Sequence, residues 1–249
     1  MYKPPKINRF ESTLLSVTDL TSTVKEFTFS VPHDFVFYPG QFATILFEVD
    51  GKKYRRPYSI ASTPLEAHEK KHIRLCIKEV VGGPGTIFLW SRKVGDIVNM
   101  LGPLGVFVIK DEQRSGPLVF ISTGTGVAPF TSMIADLLDN GFAHNITLFC
   151  GYRHELLYHK QLCNFAQKYN NFNYHPTLSQ PADAGYTGKR GRVQEHITAE
   201  INTITDEQIP SAATTNYYIC GLYEMIEQTA RALADTKIPR ENIHFERYD

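Results

Sequence analysis

The stretch Arg56-Pro57-Tyr58-Ser59-Ile60-Ala61-Ser62-Thr63-Pro64-Leu65 follows an apolar run, Phe42-Ala43-Thr44-Ile45-Leu46-Phe47, and a turn at Asp50-Gly51. In an extended strand alternate side chains share a face, so Arg56 and Tyr58 point one way and Pro57 and Ser59 the other. A guanidinium fork suits a phosphate, a tyrosine ring offers a flat stacking surface, and a hydroxyl can donate or accept a hydrogen bond. Phosphate, ring and polar edge are the three parts of a flavin nucleotide. The same residues also suit an ordinary β-hairpin with a surface arginine.

Around this stretch the chain consists of short segments rich in Val, Ile, Phe and Thr, at 12–17, 23–31, 42–49, 54–61, 73–80, 96–101 and 106–109. Turns such as Pro39-Gly40 and Asp50-Gly51 separate them, which predicts strands of an antiparallel barrel or sandwich. One helical interruption is expected at 86–91. The texture changes at Asp111-Glu112-Gln113-Arg114-Ser115-Gly116-Pro117, a polar linker. Beyond it strands at 118–122, 146–150, 173–177, 217–220 and 243–245 alternate with helices at 127–139, 160–168, 193–201 and 223–235. Such alternation predicts a doubly wound parallel sheet. The expected division is a barrel domain over 1–112 and an α/β domain over 113–249.

Composition narrows the classes. The chain has 249 residues, 42% hydrophobic and 21% charged, enough for two ordinary domains with real cores. Lys+Arg and Asp+Glu are 26 each, so no global charge points to nucleic acid or to a membrane surface. The local clusters Lys52, Lys53, Arg55, Arg56 and Lys70, Lys71 suit a solvated face. No apolar run reaches membrane-spanning length and Met1-Tyr2-Lys3-Pro4-Pro5-Lys6 lacks a hydrophobic signal segment, so the expected location is cytoplasmic. The cysteines, Cys76, Cys150, Cys163 and Cys220, are too scattered for a zinc or iron–sulfur site. No metal is expected, and any one-electron partner must then be a separate molecule.

Two further stretches suit phosphates. Gly83-Pro84-Gly85-Thr86 offers backbone N–H groups and a hydroxyl at the start of a short helix, although a plain glycine turn has the same composition. Leu118-Val119-Phe120-Ile121-Ser122 runs into Thr123-Gly124-Thr125-Gly126 and then a helix, the strand–turn–helix geometry of dinucleotide sites. It departs from Gly-x-Gly-x-x-Gly, because Ala128-Pro129 stand where a third glycine is expected.

These motifs together resemble the ferredoxin–NADP reductase superfamily. Arg56-Pro57-Tyr58-Ser59 is similar to its Arg-x-Tyr-Ser flavin motif, and Gly83-Pro84-Gly85-Thr86 to its Gly-x-x-Ser/Thr pyrophosphate motif. Gly102-Pro103-Leu104-Gly105 resembles the end of its flavin barrel. Thr123 to Pro129 resembles its nicotinamide-nucleotide loop, Cys220-Gly221 its late Cys-Gly pair, and Glu246-Arg247-Tyr248 its acidic and aromatic C-terminus. The resemblance covers nearly the whole chain.

It implies an enzyme that passes a hydride between NADP(H) and FAD, and single electrons to or from a ferredoxin or flavodoxin. The alternatives are an NAD(P)H–flavin reductase, an NADH-dependent reductase component of an oxygenase, or a non-catalytic flavin-binding electron-transfer subunit. A monomer is expected. By the same resemblance Arg56 clamps a phosphate, Tyr58 stacks on the flavin, and Ser59 sits beside its reactive nitrogen. Cys220, with Gly221, positions the nicotinamide without acting as a redox thiol. Tyr248 stacks where the nicotinamide must enter, and Glu246 helps place that ring and couples to proton movement. Gln180 replaces the arginine of the family's Ser-Arg pair in Leu178-Ser179-Gln180-Pro181, and no acid closes the second strand, at Gly151-Tyr152-Arg153. Ser179, Arg190 and Arg192 could hold a 2′-phosphate, so NADP(H) is expected and NAD(H) stays open.

Overall fold

In the computed structural model residues 3–197, 214–236 and 238–248 are described, and the chain packs as two compact units. One unit contains residues 1–108 and 128–140, the other residues 109–127 and 141–249.

In the first unit β1 (Asn8–Asp19), β2 (Val24–Ser30), β3 (Phe42–Val49), β4 (Lys52–Ser59), β5 (His72–Lys78) and β6 (Ile97–Leu104) pair antiparallel in the order β4-β3-β6-β1-β2-β5. The outer strands meet again: Ile60, just past β4, bridges Leu75 of β5, and the Ala61 N–H donates to the Arg74 carbonyl at 2.8 Å. The sheet thus curls into a barrel and covers its own edges. Leu14, Phe29, Ile45, Ile60, Ile73 and Leu75 fill it and are fully buried.

Two short helices interrupt the strands. The first, α1 (Pro64–Lys70), was not anticipated, although Thr63-Pro64-Leu65-Glu66 carries the signature of a capping box with proline at the first turn. Thr63 Oγ1 accepts from the Glu66 N–H at 3.1 Å and Glu66 Oε2 accepts from the Thr63 N–H at 2.9 Å. The second, α2 (Pro84–Trp90), begins two residues before the expected 86–91 because Pro84 takes the first-turn position. The strand expected at 106–109 does not form; these residues are irregular. Gly105, at φ +98°, breaks the extended line, and Phe107 and Val108 are buried outside any strand, Phe107 against Phe130 at 6.0 Å. Phe130 belongs to α3 (Ala128–Asp139), which is buried on almost every side.

In the second unit β7 (Leu118–Thr123), β8 (Ile146–Tyr152), β9 (Phe172–Leu178), β10 (Lys189–Arg190), β11 (Asn216–Gly221) and β12 (Ile243–Arg247) form a parallel sheet in the order β10-β9-β8-β7-β11-β12. The helices α4 (His159–Lys168) and α5 (Tyr223–Asp235) lie in its crossovers. The two-residue β10 was not anticipated, being too short to show a pattern. Of the helix expected at 193–201, residues 193–197 are helical and the rest lie outside the described residues. The order reverses at β7, which has β8 on one side and β11 on the other, so the ligand edge of the sheet is at the C-terminal ends of these strands. The antiparallel barrel followed by a doubly wound parallel sheet is the architecture that the sequence predicts.

Arg74 ties the barrel closure together. Its Nη1 meets Glu26 of β2 and its Nη2 meets Glu66 of α1, both at 3.0 Å, with the Arg74 side chain 18% exposed. Burial pushes the Glu66 carboxyl up, but Arg74 and the Thr63 N–H together outweigh it and hold the pKa below the usual value. A depressed pKa stabilises the fold above the unfolded-state value, and this stability is lost as pH falls through the folded one. The variant Arg74→Met leaves two half-buried carboxylates without their cation. It should lose about 3 kcal/mol in urea unfolding at neutral pH and begin acid unfolding at a higher pH than the wild type. Equal midpoints and equal acid limbs would mean that solvent screens both pairs.

Candidate functional site

The first group of site residues lies on β4 and α2. A Cβ at Gly85 would stand 3.0 Å from Tyr58 Oη and 3.3 Å from Arg56 Cγ, so the Gly83-Pro84-Gly85-Thr86 turn backs directly onto Arg56 and Tyr58. Two motifs far apart in sequence therefore share one surface. Arg56 is exposed, with its guanidinium 5.5 Å from the Tyr54 ring and Nη1 donating to its neighbour's carbonyl at 3.0 Å. Burial pushes the Tyr58 phenol up to about 12, with Arg56 pulling it down, so Tyr58 stays a protonated donor near neutral pH. Thr86 Oγ1 accepts from the Val80 N–H at 3.0 Å, which leaves its proton to donate. Pro57 is exposed, whereas Ser59, at the end of β4, is buried opposite Phe42 of β3. A cation, a partly covered ring and a tight glycine turn fit the phosphate and ring of a flavin.

The chain just beyond Ser59 is fixed from several sides. The Ile60 N–H donates to the Gln41 carbonyl at 3.0 Å, and Ser62 Oγ accepts from the Arg74 N–H at 3.1 Å. From α3, Thr131 Oγ1 shares its proton between the Ala61 carbonyl at 3.0 Å and the Ala128 carbonyl at 2.7 Å, and Ser132 Oγ donates to the Ser62 carbonyl at 2.7 Å. Few degrees of freedom remain for Ser59.

The second group lies at the sheet's switch point. Thr123-Gly124-Thr125-Gly126 leaves β7, with Gly124–Val127 as a 3-10 turn. Gly124, at φ +53°, has open space where a side chain would stand, so a ligand backbone can approach it. A Cβ at Gly126 would overlap the Cys220 carbonyl, and one at Gly221 would overlap Thr123 Oγ1. The two loops at the ends of β7 and β11 are thus interlocked. The Thr123 hydroxyl is buried and makes no hydrogen bond among the described residues, an orphan that a bound amide or phosphate would satisfy. These features fit a nicotinamide dinucleotide.

Strand β12 brings the tail to the same place. Glu246 pairs in register with Cys220, and the Tyr248 N–H donates to the Gly221 carbonyl at 3.1 Å. Cys220 is fully buried, and burial pushes its thiol well above the ordinary value. The Glu246 charge adds to this, while a hydrogen bond from the Tyr248 side chain opposes it. Cys220 is therefore a neutral thiol, flanked by an acid and a phenol. Asp249 lies outside the described residues. Ser59 belongs to the first unit, and Cys220, Glu246 and Tyr248 to the second.

A third group borders β8, β9 and β10. Ser179 donates its N–H to the Tyr152 carbonyl at 2.9 Å, and Arg190 stands opposite Leu178. The Arg190 guanidinium folds back onto the Tyr186 carbonyl at 2.9 Å, while Arg192 lies 3.8 Å from Glu224. Arg153, just past β8, donates from Nε to Gln180 Oε1 at 3.0 Å, and His154 meets the Gln180 carbonyl at 2.7 Å. In the sequence Arg153 stands where an acid would favour an unphosphorylated ribose. Its position at the carboxyl end of a parallel strand was the signal that makes it a candidate. Among the described residues no three His, Cys, Asp or Glu side chains gather as metal ligands, and no helix is long and apolar enough to cross a membrane.

Comparison with known proteins identifies both kinds of domain. Residues 11–109 match the oxidoreductase FAD-binding domain family and residues 120–231 the oxidoreductase NAD-binding domain family. The chain is 31% identical to ferredoxin–NADP reductase B of Sorangium cellulosum, over 96% of this chain and 98% of that protein. It is also 31% identical to the reductase component of a phenol 2-monooxygenase of a Pseudomonas species, over 97% of this chain but only 66% of that longer protein. A solved ferredoxin–NADP+ reductase from Neisseria gonorrhoeae superposes with a TM-score of 0.79, at 22% identity and over 96% of this chain and 98% of that one.

Cysteine chemistry offers a direct check of the Cys220 environment. Cys76, Cys150 and Cys220 are buried and only Cys163 is partly exposed. Iodoacetamide at pH 8 should therefore alkylate the native protein once, at Cys163. An adduct on Cys220 detected by peptide mass spectrometry would mean that the loops around it open in solution.

Proposed function

The chain belongs to the ferredoxin–NADP reductase superfamily and is an oxidoreductase with FAD-binding and NAD(P)-binding domains, and from that premise we propose that it transfers a hydride between NADP(H) and FAD and exchanges single electrons with a ferredoxin or flavodoxin. The non-catalytic alternative is thereby set aside. The observation that carries this proposal is the gathering of Cys220, Glu246 and Tyr248 against the interlocked glycine loops at the switch point. Residues 1–112 are the flavin-binding part in this scheme and residues 113–249 the nicotinamide-binding part.

When bound, FAD supplies the conversion between a two-electron and a one-electron carrier. The chain's own residues bind and orient. Arg56 clamps a flavin phosphate, assisted by Gly83, Gly85 and Thr86, and Tyr58 supplies the stacking ring. Ser59 stands beside the reactive edge. Thr123 to Gly126 receive the dinucleotide phosphates, and Gly221 lets the backbone approach. The neutral Cys220 thiol forms an uncharged wall for the nicotinamide, because a thiol held far above its ordinary pKa neither ionises nor competes for the redox chemistry. Glu246 holds a proton site beside it. The Tyr248 ring, already bonded to Cys220, covers the place that the nicotinamide takes and so keeps product binding weak.

A reductase component of an oxygenase is the second reading, favoured by the equal identity to the phenol 2-monooxygenase component. Reduction of ferredoxin, flavodoxin and free flavin with NADPH and NADH, run in parallel, separates the readings. Fast turnover with ferredoxin or flavodoxin supports the first, and turnover with NADH and free flavin alone supports the alternative. Colourless protein that gains no flavin on incubation would sink both.

The Arg56→Ala protein should fold but lose flavin on dialysis, with affinity weakened by about 1.5–3 kcal/mol. Normal retention would remove Arg56 from the phosphate site. For nucleotide choice, Arg190→Ala/Arg192→Ala should raise KM for NADPH much more than for NADH if these residues hold the 2′-phosphate beside Ser179. Arg153→Ala, measured alongside, tests the cation at β8 in the same way. An unchanged NADPH/NADH preference in both proteins would favour an NAD(H) enzyme.

A further inference from the structure

One buried residue that no motif above includes connects three parts of the barrel at its site end, two through its side chain and one through its main chain. Gln41 is 2% exposed. Its Oε1 accepts from the Tyr38 N–H at 2.9 Å and its Nε2 donates to the Gly105 carbonyl at 3.0 Å. A main-chain N–H on one side and a carbonyl on the other fix which amide atom is which. Its backbone is equally committed: the N–H donates to the Tyr38 carbonyl at 3.1 Å, and the carbonyl accepts from the Ile60 N–H at 3.0 Å. Gln41 thus holds the turn 38–41, the Gly102-Pro103-Leu104-Gly105 segment and the residue that follows Ser59.

The neighbours are built to the same tolerance. Gly40, at φ +97°, lies so close to the Phe107 carbonyl and to Met133 that a Cβ would overlap both. Gly105, at φ +98°, has the Phe42 ring against it, where a Cβ would stand 2.9 Å away. Phe42 pairs with Ser59 on one side and with Leu104 on the other. Ser59 is therefore bracketed by Phe42 across the ladder and by the Gln41 main chain through Ile60, while the Gln41 amide ties that main chain to Tyr38 and to Gly105 beside the Phe42 ring.

We propose that Gln41 is a positioning residue for the flavin reaction, acting through Ser59 by clamping the Tyr38 and Gly105 loops around the end of β4. This inference rests on the flavin reading above. A buried amide with both ends satisfied is costly to replace by a group that satisfies one or neither. A displacement of about an ångström at a reacting edge lowers rate far more than it lowers binding.

The test is a double-mutant cycle on flavin-loaded protein, following anaerobic reduction of the flavin by saturating NADPH or NADH in a stopped-flow instrument. Gln41→Leu removes both side-chain hydrogen bonds at similar volume. It should slow flavin reduction on the order of tenfold or more while KM for the nicotinamide nucleotide stays within about twofold. In a Ser59→Ala background the same change should cost little further, because a residue acting through Ser59 has nothing left to act on. Gln41→Glu keeps the acceptor for the Tyr38 N–H and loses the donor to Gly105, so it should fall between wild type and Gln41→Leu. It also carries the comparison should Gln41→Leu fold poorly. Equal slowing in both backgrounds, or no slowing in either, overturns the proposal. Wild-type protein that holds no flavin overturns the functional reading itself, and this inference with it.

Discussion

The close approach of two loops at the head of the parallel sheet is the constraint on which the rest of the second unit depends. Gly126 rests against the Cys220 carbonyl and Gly221 against Thr123, and any side chain at either position would drive the loops apart. Only with both glycines in place can β7 and β11 end at the same level. This level is the edge at which doubly wound sheets take ligands, with the order reversing at β7. Strand β12 adds to β11 in register, and so the last described residues arrive at the same edge. Sheet order, glycine contact and tail placement are one geometric solution.

The barrel solves a different problem. It must hold a short stretch of extended chain still while leaving its outer face open. The outer face is open because Arg56 and Pro57 are exposed and Tyr58 is only partly covered. Stillness comes from the inner side, where residues 60–62 bond through their backbone groups to Gln41, Arg74, Thr131 and Ser132. The anchors are neutral hydrogen bonds apart from the Arg74 ion pairs, so most of the rigidity is insensitive to salt. A redox site gains from this, since the geometry is held by local bonds that need no reorganisation during reaction.

How far the chain can be understood from its sequence follows from the range of each signal. The alternation of strands and helices after residue 117 is periodic and local, and it gives the parallel sheet directly. The short barrel strands are also local, and their turns mark them. The segment 106–109 misleads because burial alone looks like a strand: Phe107 and Val108 are buried, Phe107 against Phe130 of α3, a contact between residues distant in sequence. The capping box at Thr63 was present in the sequence but was masked by the motif that precedes it. Among site residues, Arg56, Tyr58 and Gly85 could be named by type and spacing. Gln41 could not, because nothing in its neighbours says that a glutamine there will meet Gly105 across the barrel.

The helix α3 leaves the glycine turn of the second unit and packs as part of the first. Its residues supply Phe130 to cover Phe107 and two hydroxyls to the carbonyls behind Ser59. A gene fragment cut at the linker would therefore yield a barrel with an exposed aromatic face and two unanswered carbonyls. The complementary fragment would carry α3 without the Phe107, Ala61 and Ser62 groups that it meets here. In this chain the boundary between modules in space is not a boundary in the gene, and exchanging one nucleotide-binding half for that of a relative means carrying this helix with the other half's partner surface.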